Sequence, residues 1–127
     1  MIVSDTNLIV ALVCETENTE TAQAVWEKDA DWMAPELWQS EFRNALAMMM
    51  RQKIIGLKTA LEAFRLATSF VDTVAAGTGT ILHLCEQYPI TAYDAEFAAL
   101  AEHLGVQAVS FDPDLTKCGL AVHPSEF

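Results

Sequence analysis

The 127-residue sequence predicts one α/β domain, a sandwich built on a parallel sheet of four to five strands. Two observations carry this. Short apolar runs bounded by Asp, Pro and Gly alternate along the chain with longer stretches whose apolar residues recur at helical spacing. No repeat, low-complexity tract or linker interrupts that alternation, so residues 1–127 form a single unit.

The elements follow in order. MIVSD reads as a strand ending at Asp5, and NLIVALVCE continues without a break as an apolar helix. TETAQAVWEKDA is a second helix, with Ala22, Val25 and Trp26 on one face. DWMAP is a strand stopped by Pro35. A helix then runs from Glu36 to about Lys53, and Gly56 separates it from LKTALEAFRLA. TSFVDT is a candidate short strand. Gly77 and Gly79 open the helix TILHLCEQY, which Pro89 ends. DAEFAALAEHLG is a helix with Asp94 as its expected N-cap and Gly105 as its stop. VQAVSF is a strand broken by Asp112-Pro113-Asp114, and GLAVHP is the last short strand.

Composition narrows the function classes. The chain is 52% hydrophobic, enough for a real core. Seven basic residues face 18 acidic ones, a formal net charge of −11, the wrong sign for holding nucleic acid by bulk electrostatics. Nucleic acid then requires a local basic patch or bound cations. No basic leader is seen and no apolar run approaches about 18 residues, so neither a signal peptide nor a membrane span is expected. Cys14, Cys85 and Cys118 have no metal-ligand spacing and read as reduced thiols of a cytosolic protein. His83, His103 and His123 are scattered and fall in no motif, and Trp26, Trp32 and Trp38 read as core.

The acids are the informative residues. In a parallel sheet all strand C-termini share one rim, where ligands bind. Asp5 ends the first strand and Asp112 a late one. Asp5 and Asp94 can each be explained as a helix cap, and Asp112 as an Asp-Pro turn opener. Glu41 is harder to dismiss. Trp38, Phe42, Ala45 and Met49 form an apolar stripe, and Leu37, Glu41, Asn44 and Met48 form the adjacent row. Glu41 is therefore either a partnered carboxylate or one that reaches to water from the border. Four converging carboxylates repel one another and some would take up protons. No Lys or Arg adjoins Asp5, Asp94 or Asp112 in sequence, and divalent cations with their oxygen preference resolve the repulsion economically.

Three blocks carry a resemblance. IVSDTNLIVAL, PELWQSEFRNAL and ITAYDAEFAALAEHLGVQAVSFDPDL, in this order and spacing, resemble the PIN-domain family, most closely its VapC-type toxins of bacterial and archaeal toxin–antitoxin modules. The match spans almost the whole chain, and residues 54–88 are not diagnostic. The resemblance implies a three-layer α/β/α sandwich and metal-dependent cleavage of RNA phosphodiesters. It implies catalytic and metal-holding roles for Asp5, Glu41, Asp94 and Asp112, with Asp114 as an additional or alternative ligand. Asn7, Asn44 and Ser110 would support these acids through hydrogen bonds, Ser110 standing where members often carry Thr. The implied cofactor is Mg²⁺ or Mn²⁺, one or two ions that activate water and stabilise charge on the attacking and leaving oxygens. The implied partners are RNA, a cognate antitoxin and a second copy of the chain, in the cytoplasm.

Arg43, Arg51, Lys53, Lys58 and Arg65 are five of the seven basic residues, and they either guide phosphates or form a solvated face. Met48, Met49 and Met50 span most of a helical turn, so at least one is expected on a partner surface. Three other readings remain: a free-standing PIN nuclease of RNA processing, a receiver-like phosphate acceptor, and a non-catalytic partner-binding domain. The receiver-like reading wants adjacent acids after the first strand, where the chain has Ser4-Asp5.

Overall fold

The computed structural model describes residues 1–127. Strand β1 is Ile2–Ser4, with every residue buried, as a parallel strand covered on both faces requires. Helix α1 (Thr6–Val13) follows after Asp5 alone, then α2 (Thr19–Lys28), β2 (Trp32–Ala34), α3 (Leu37–Arg51), α4 (Leu57–Phe70) and β3 (Val71–Thr73). The second half contains α5 (Thr78–Gln87), α6 (Ala92–Leu104), β4 (Ala108–Val109) and α7 (Pro113–Lys117), closed by a 3₁₀ turn at Pro124–Glu126. The four strands form one parallel sheet in the order β3-β2-β1-β4. Helices α1 to α4 pack on one another, whereas α5 packs on α6 and α6 on β1 and β4, which gives the expected layers around the sheet. No helix is long and apolar enough to cross a membrane.

The late strands are shorter than their sequence suggests. VQAVSF narrows to Ala108–Val109, because beyond Val109 the backbone turns to other partners. Ser110 N donates to Val122 O at 3.1 Å, and Phe111 N donates to the Asn7 side chain at 3.2 Å. The last predicted strand, GLAVHP, is reduced to one parallel bridge between Val109 and Val122. In TSFVDT, helix α4 persists to Phe70 and only Val71–Thr73 pairs with β2.

The core forms around aromatic rings. Trp32 and Trp38 are fully buried. Trp26, Trp32 and Phe70 meet edge to face, and Trp38 meets Phe42 in the same way. Each buried indole N–H is satisfied, Trp32 Nε1 by Asp29 O at 2.7 Å and Trp38 Nε1 by Thr73 Oγ1 at 2.9 Å. On α3 the buried residues are Trp38, Phe42 and Leu46. The stripe thus steps by four residues, and Ala45, expected inside it, turns partly toward solvent beside Glu41.

Two helix ends require a left-handed residue. Gly105, with φ 68°, ends α6 and lets Val106 N reach Ala101 O at 3.0 Å. Lys53 does the same after α3 with φ 59°, and Ile54 N reaches Met49 O at 2.9 Å. A side chain at that position carries a steric cost that glycine does not.

Candidate functional site

The chain runs from β1 outward to β2 and β3, then returns to place β4 on the other side of β1. The crevice at the C-terminal ends of β1 and β4 is where open α/β sheets bind ligands. Ser4 pairs with Val109, so the residues that follow each strand emerge side by side. Asp5 is one and Ser110 the other.

Asp5 both caps and faces the crevice. Its Oδ1 accepts from Thr6 N at 2.7 Å, capping α1, while its Oδ2 accepts from Ser110 Oγ at 2.5 Å and Asn7 Nδ2 at 3.3 Å. Ser110 Oγ also accepts from Asp112 N at 2.9 Å and from Asn7 Nδ2 at 3.2 Å. The two strand ends are thereby tied together by side chains. Across the crevice, Glu41 on the second turn of α3 accepts from Thr6 Oγ1 at 2.9 Å through Oε1. Glu41 is half-buried and partnered, not a border residue reaching to water.

Asp94 is not the N-cap of its helix. Thr91 takes that place with extended backbone, and its Oγ1 accepts from Asp94 N at 3.1 Å. Asp94 lies in the first turn, where the helix macrodipole favours a negative charge. Asp112 caps α7 by accepting from Asp114 N at 2.9 Å. Asp94, Asp112 and Asp114 offer carboxylate oxygens that all lie within 4.8 Å of one another.

A cleft of about 650 Å³ opens over these groups, lined by Asp5, Glu41, Asp94 and Asp112 together with residues of α1, α3 and the α1–α2 turn. Its lining contains no Lys or Arg. The electrostatic consequence is visible in the acids. Burial raises the Asp5 carboxyl to about 6, with further upward pressure from Glu41 and Asp94, against the Ser110 and Thr6 hydrogen bonds that lower it. Burial also raises Glu41, opposed by the Thr6 hydroxyl and reinforced by Asp94 and Glu96. Asp94 is raised by burial and then by Asp112, against the Thr91 hydrogen bond that lowers it, with a smaller upward push from Asp114.

The other expected residues are placed as follows. Asn7 donates to Asp5 and Ser110 and accepts from Phe111 N, joining the network at three points. Asn44 lines the cleft but donates to Met48 Sδ at 3.9 Å and to none of the acids. It stands three residues past Glu41, on the exposed side of α3. Arg43 lies over the Phe64 ring at 5.5 Å, with a 3.4 Å contact to Ser40 Oγ, and does not line the cleft. Arg51, Lys53, Lys58 and Arg65 are exposed and also lie outside it. His83 and His103 are exposed, and His123 packs edge to face on Phe111.

Sequence reasoning missed the wall made by Thr16, Glu17 and Asn18, which sits in a turn without periodicity. It also missed Thr6, although the Asp-Thr-Asn triplet was its signal. Glu96, raised by burial and by Glu36, is a further acid near Glu41 that no motif marked.

Fold and site together define a parallel α/β domain with carboxylates gathered at the switch point of its sheet. The PIN domain family model matches residues 2–119, and the chain belongs to the PIN domain family. Among solved structures it is similar to a toxin–antitoxin complex from Klebsiella pneumoniae, with TM-score 0.74, 15% identity and 100% of both chains covered. It is similar to PAE2754 from Pyrobaculum aerophilum, with TM-score 0.76 and 21% identity over 97% of this chain and 83% of that one. A third is VapC20 of Mycobacterium tuberculosis, described as a sarcin–ricin loop cleaving toxin, with TM-score 0.69 and 20% identity over 94% of this chain and 95% of that one. No curated protein matches the chain by sequence.

Proposed function

We propose that the protein is a metal-dependent endoribonuclease, the toxin of a toxin–antitoxin module. The observation that carries this is the convergence of Asp5, Glu41, Asp94 and Asp112 on one cleft whose lining holds no basic residue. Three of these acids are raised by burial and mutual repulsion, which is costly unless a cation neutralises them. The donor set is all oxygen, which fits Mg²⁺ or Mn²⁺ and does not suit softer metals. Asp94, Asp112 and Asp114 lie close enough to share an ion, and Asp5 and Glu41 line the same cleft. Bound there, such an ion would lower the pKa of water and stabilise charge on the phosphate oxygens.

The chain's own residues do the positioning. Ser110 and Asn7 hold Asp5 Oδ2, Thr6 N holds Asp5 Oδ1, and Thr6 Oγ1 holds Glu41. Carboxylates locked in this way lose little freedom when they bind. RNA as substrate is supported by family membership and by likeness to the sarcin–ricin loop cleaving toxin of Mycobacterium tuberculosis. An antitoxin partner is supported by likeness to a toxin–antitoxin complex, and by exposed Ile54 in the α3–α4 turn with Leu57 and Leu61 of α4, which also suit a second copy of the chain.

The test is cleavage of total RNA by the purified chain with Mg²⁺, with Mn²⁺ and with EDTA, beside Asp5→Asn. A discrete cut that requires metal and disappears in the variant is expected. Cleavage that survives both EDTA and Asp5→Asn would sink the proposal.

A further inference from the structure

The cleft is larger than its carboxylates need. Beside them its lining includes Val10 and Ala11 of α1 and Ala45 and Met48 of α3, an apolar group joined by Asn44 and by Glu17 and Asn18 of the α1–α2 turn. Asn18 is out of its usual role. It occupies the N-cap position of α2, where an Asn side chain normally accepts from the first-turn N–H groups, yet it makes no capping bond. Threonines hold that turn instead. Thr16 N donates to Thr19 Oγ1 at 2.9 Å, Asn18 N donates to Thr16 Oγ1 at 3.1 Å, and Thr19 Oγ1 donates to Cys14 O at 3.0 Å. The Asn18 amide thus makes no hydrogen bond within the protein and is open to solvent where it lines the cleft. The Asn44 amide has only a thioether sulfur as acceptor, a weak one, on a side chain that also lines the cleft.

We infer that this half of the cleft is a nucleobase subsite, with Val10, Ala45 and Met48 against the flat face of the base and Asn18 and Asn44 reading its edge. The inference rests on the ribonuclease reading and deepens it by naming what selects the cut. Three features favour a base over other occupants. The apolar floor is continuous with the acid rim, so a nucleotide whose phosphate lies at the carboxylates places its base here. Paired donors and acceptors on two amides match the hydrogen-bonding edge of a base. The apolar floor suits its uncharged face and not a second phosphate. The cleft volume of about 650 Å³ is in the range of small-ligand pockets.

The experiment uses the full chain with Mn²⁺ and a pool of single-stranded RNAs randomised around the centre, with cut positions mapped by sequencing. Wild type, Asn18→Ala, Asn44→Ala and Asn18→Gln are compared at matched thermal stability. The wild type is expected to prefer a base beside the cut, and each alanine variant to lose about 5- to 100-fold of that preference while still cutting the mixed pool. Asn18→Gln, which keeps the amide but moves it, is expected to alter the preferred base or register. Unchanged preference in both alanine variants would overturn the subsite and leave the nuclease reading intact. A wild type that cuts no RNA in the pool overturns the nuclease reading and the subsite with it.

Discussion

Ser110 Oγ donates to Asp5 Oδ2 at 2.5 Å, joining the end of the last paired strand to the end of the first. The same hydroxyl oxygen accepts from Asp112 N, so one small side chain sets the spacing between two candidate catalytic acids. Ser110→Ala removes the donor and leaves the Asp112 N–H and the Asn7 amide short of a partner. A loss of about 1–3 kcal/mol in stability is expected by urea denaturation. Because the bond lowers the Asp5 pKa, the variant's acid limb of RNA cleavage should also move to higher pH. Ser110→Thr should restore both, which a purely structural deletion effect would not predict for the pH profile.

Acidification should stabilise the metal-free protein through Asp5. Burial lifts its folded carboxyl to about 6, above the roughly 3.9 of an exposed Asp, so between these values the folded protein holds a proton that the unfolded chain has released. Stability contributed by this group is full below the unfolded pKa and is lost as pH rises through about 6. The loss amounts to about 3 kcal/mol, and Glu41 and Asp94 shift in the same direction. Thermal unfolding in EDTA should give a lower Tm at pH 7.5 than at pH 5. Asp5→Asn should raise the Tm at pH 7.5 and flatten the profile. An identical slope in wild type and variant would rule this account out.

Asp94 is the acid that couples the two sides of the crevice, acting on Asp5 and Glu41 and acted on by Asp112 and Asp114. Mg²⁺ or Mn²⁺ should raise the Tm of the wild type at pH 7.5, by mass action on the folded state. Asp94→Asn should weaken binding at least tenfold in calorimetric titration. Asp114→Asn, which alters an exposed carboxylate, should cost several-fold less. Equal losses would make Asp114 a ligand of the same rank as Asp94.

Lys53 holds a left-handed conformation with φ 59° and is not part of the cleft lining. Lys53→Gly should therefore stabilise the fold by about 1 kcal/mol in chemical denaturation, without changing RNA cleavage. Gly105→Ala at the end of α6 should cost about 1 kcal/mol for the same reason with the opposite sign. Lost cleavage in Lys53→Gly would instead assign this lysine to substrate contact.

Much of the fold was legible because apolar periodicity and helix punctuation are local. MIVSD, DWMAP, Gly105 and the α3 stripe each carried their own signal within a few residues. Errors arose where a non-local partner competed for the backbone. VQAVSF keeps only Ala108 and Val109 of its six residues, and at its far end Val122 and Asn7 capture the N–H groups of Ser110 and Phe111. Asp94 sits in the first turn and does not cap α6, because Thr91 carries an equally suitable oxygen three residues earlier.

By itself the sequence determined that β1 ends at an acid, that Glu41 stands beside the buried face of α3, and that the chain is an acidic α/β domain with PIN-like blocks. These are consequences of side-chain type and spacing along one segment. Only the tertiary structure decided which acids share an ion-sized space, that Ser110 serves Asp5 and Asp112 together, and that Thr6 serves Glu41. It also decided that Asn44 faces the cleft without touching a carboxylate, and that the Thr16–Asn18 turn forms the opposite wall. Those relations depend on the sheet register that sets Ser4 beside Val109 and on the packing of α1 against α3. A pairing between distant strands is fixed by the whole core at once, and no short stretch of sequence contains it.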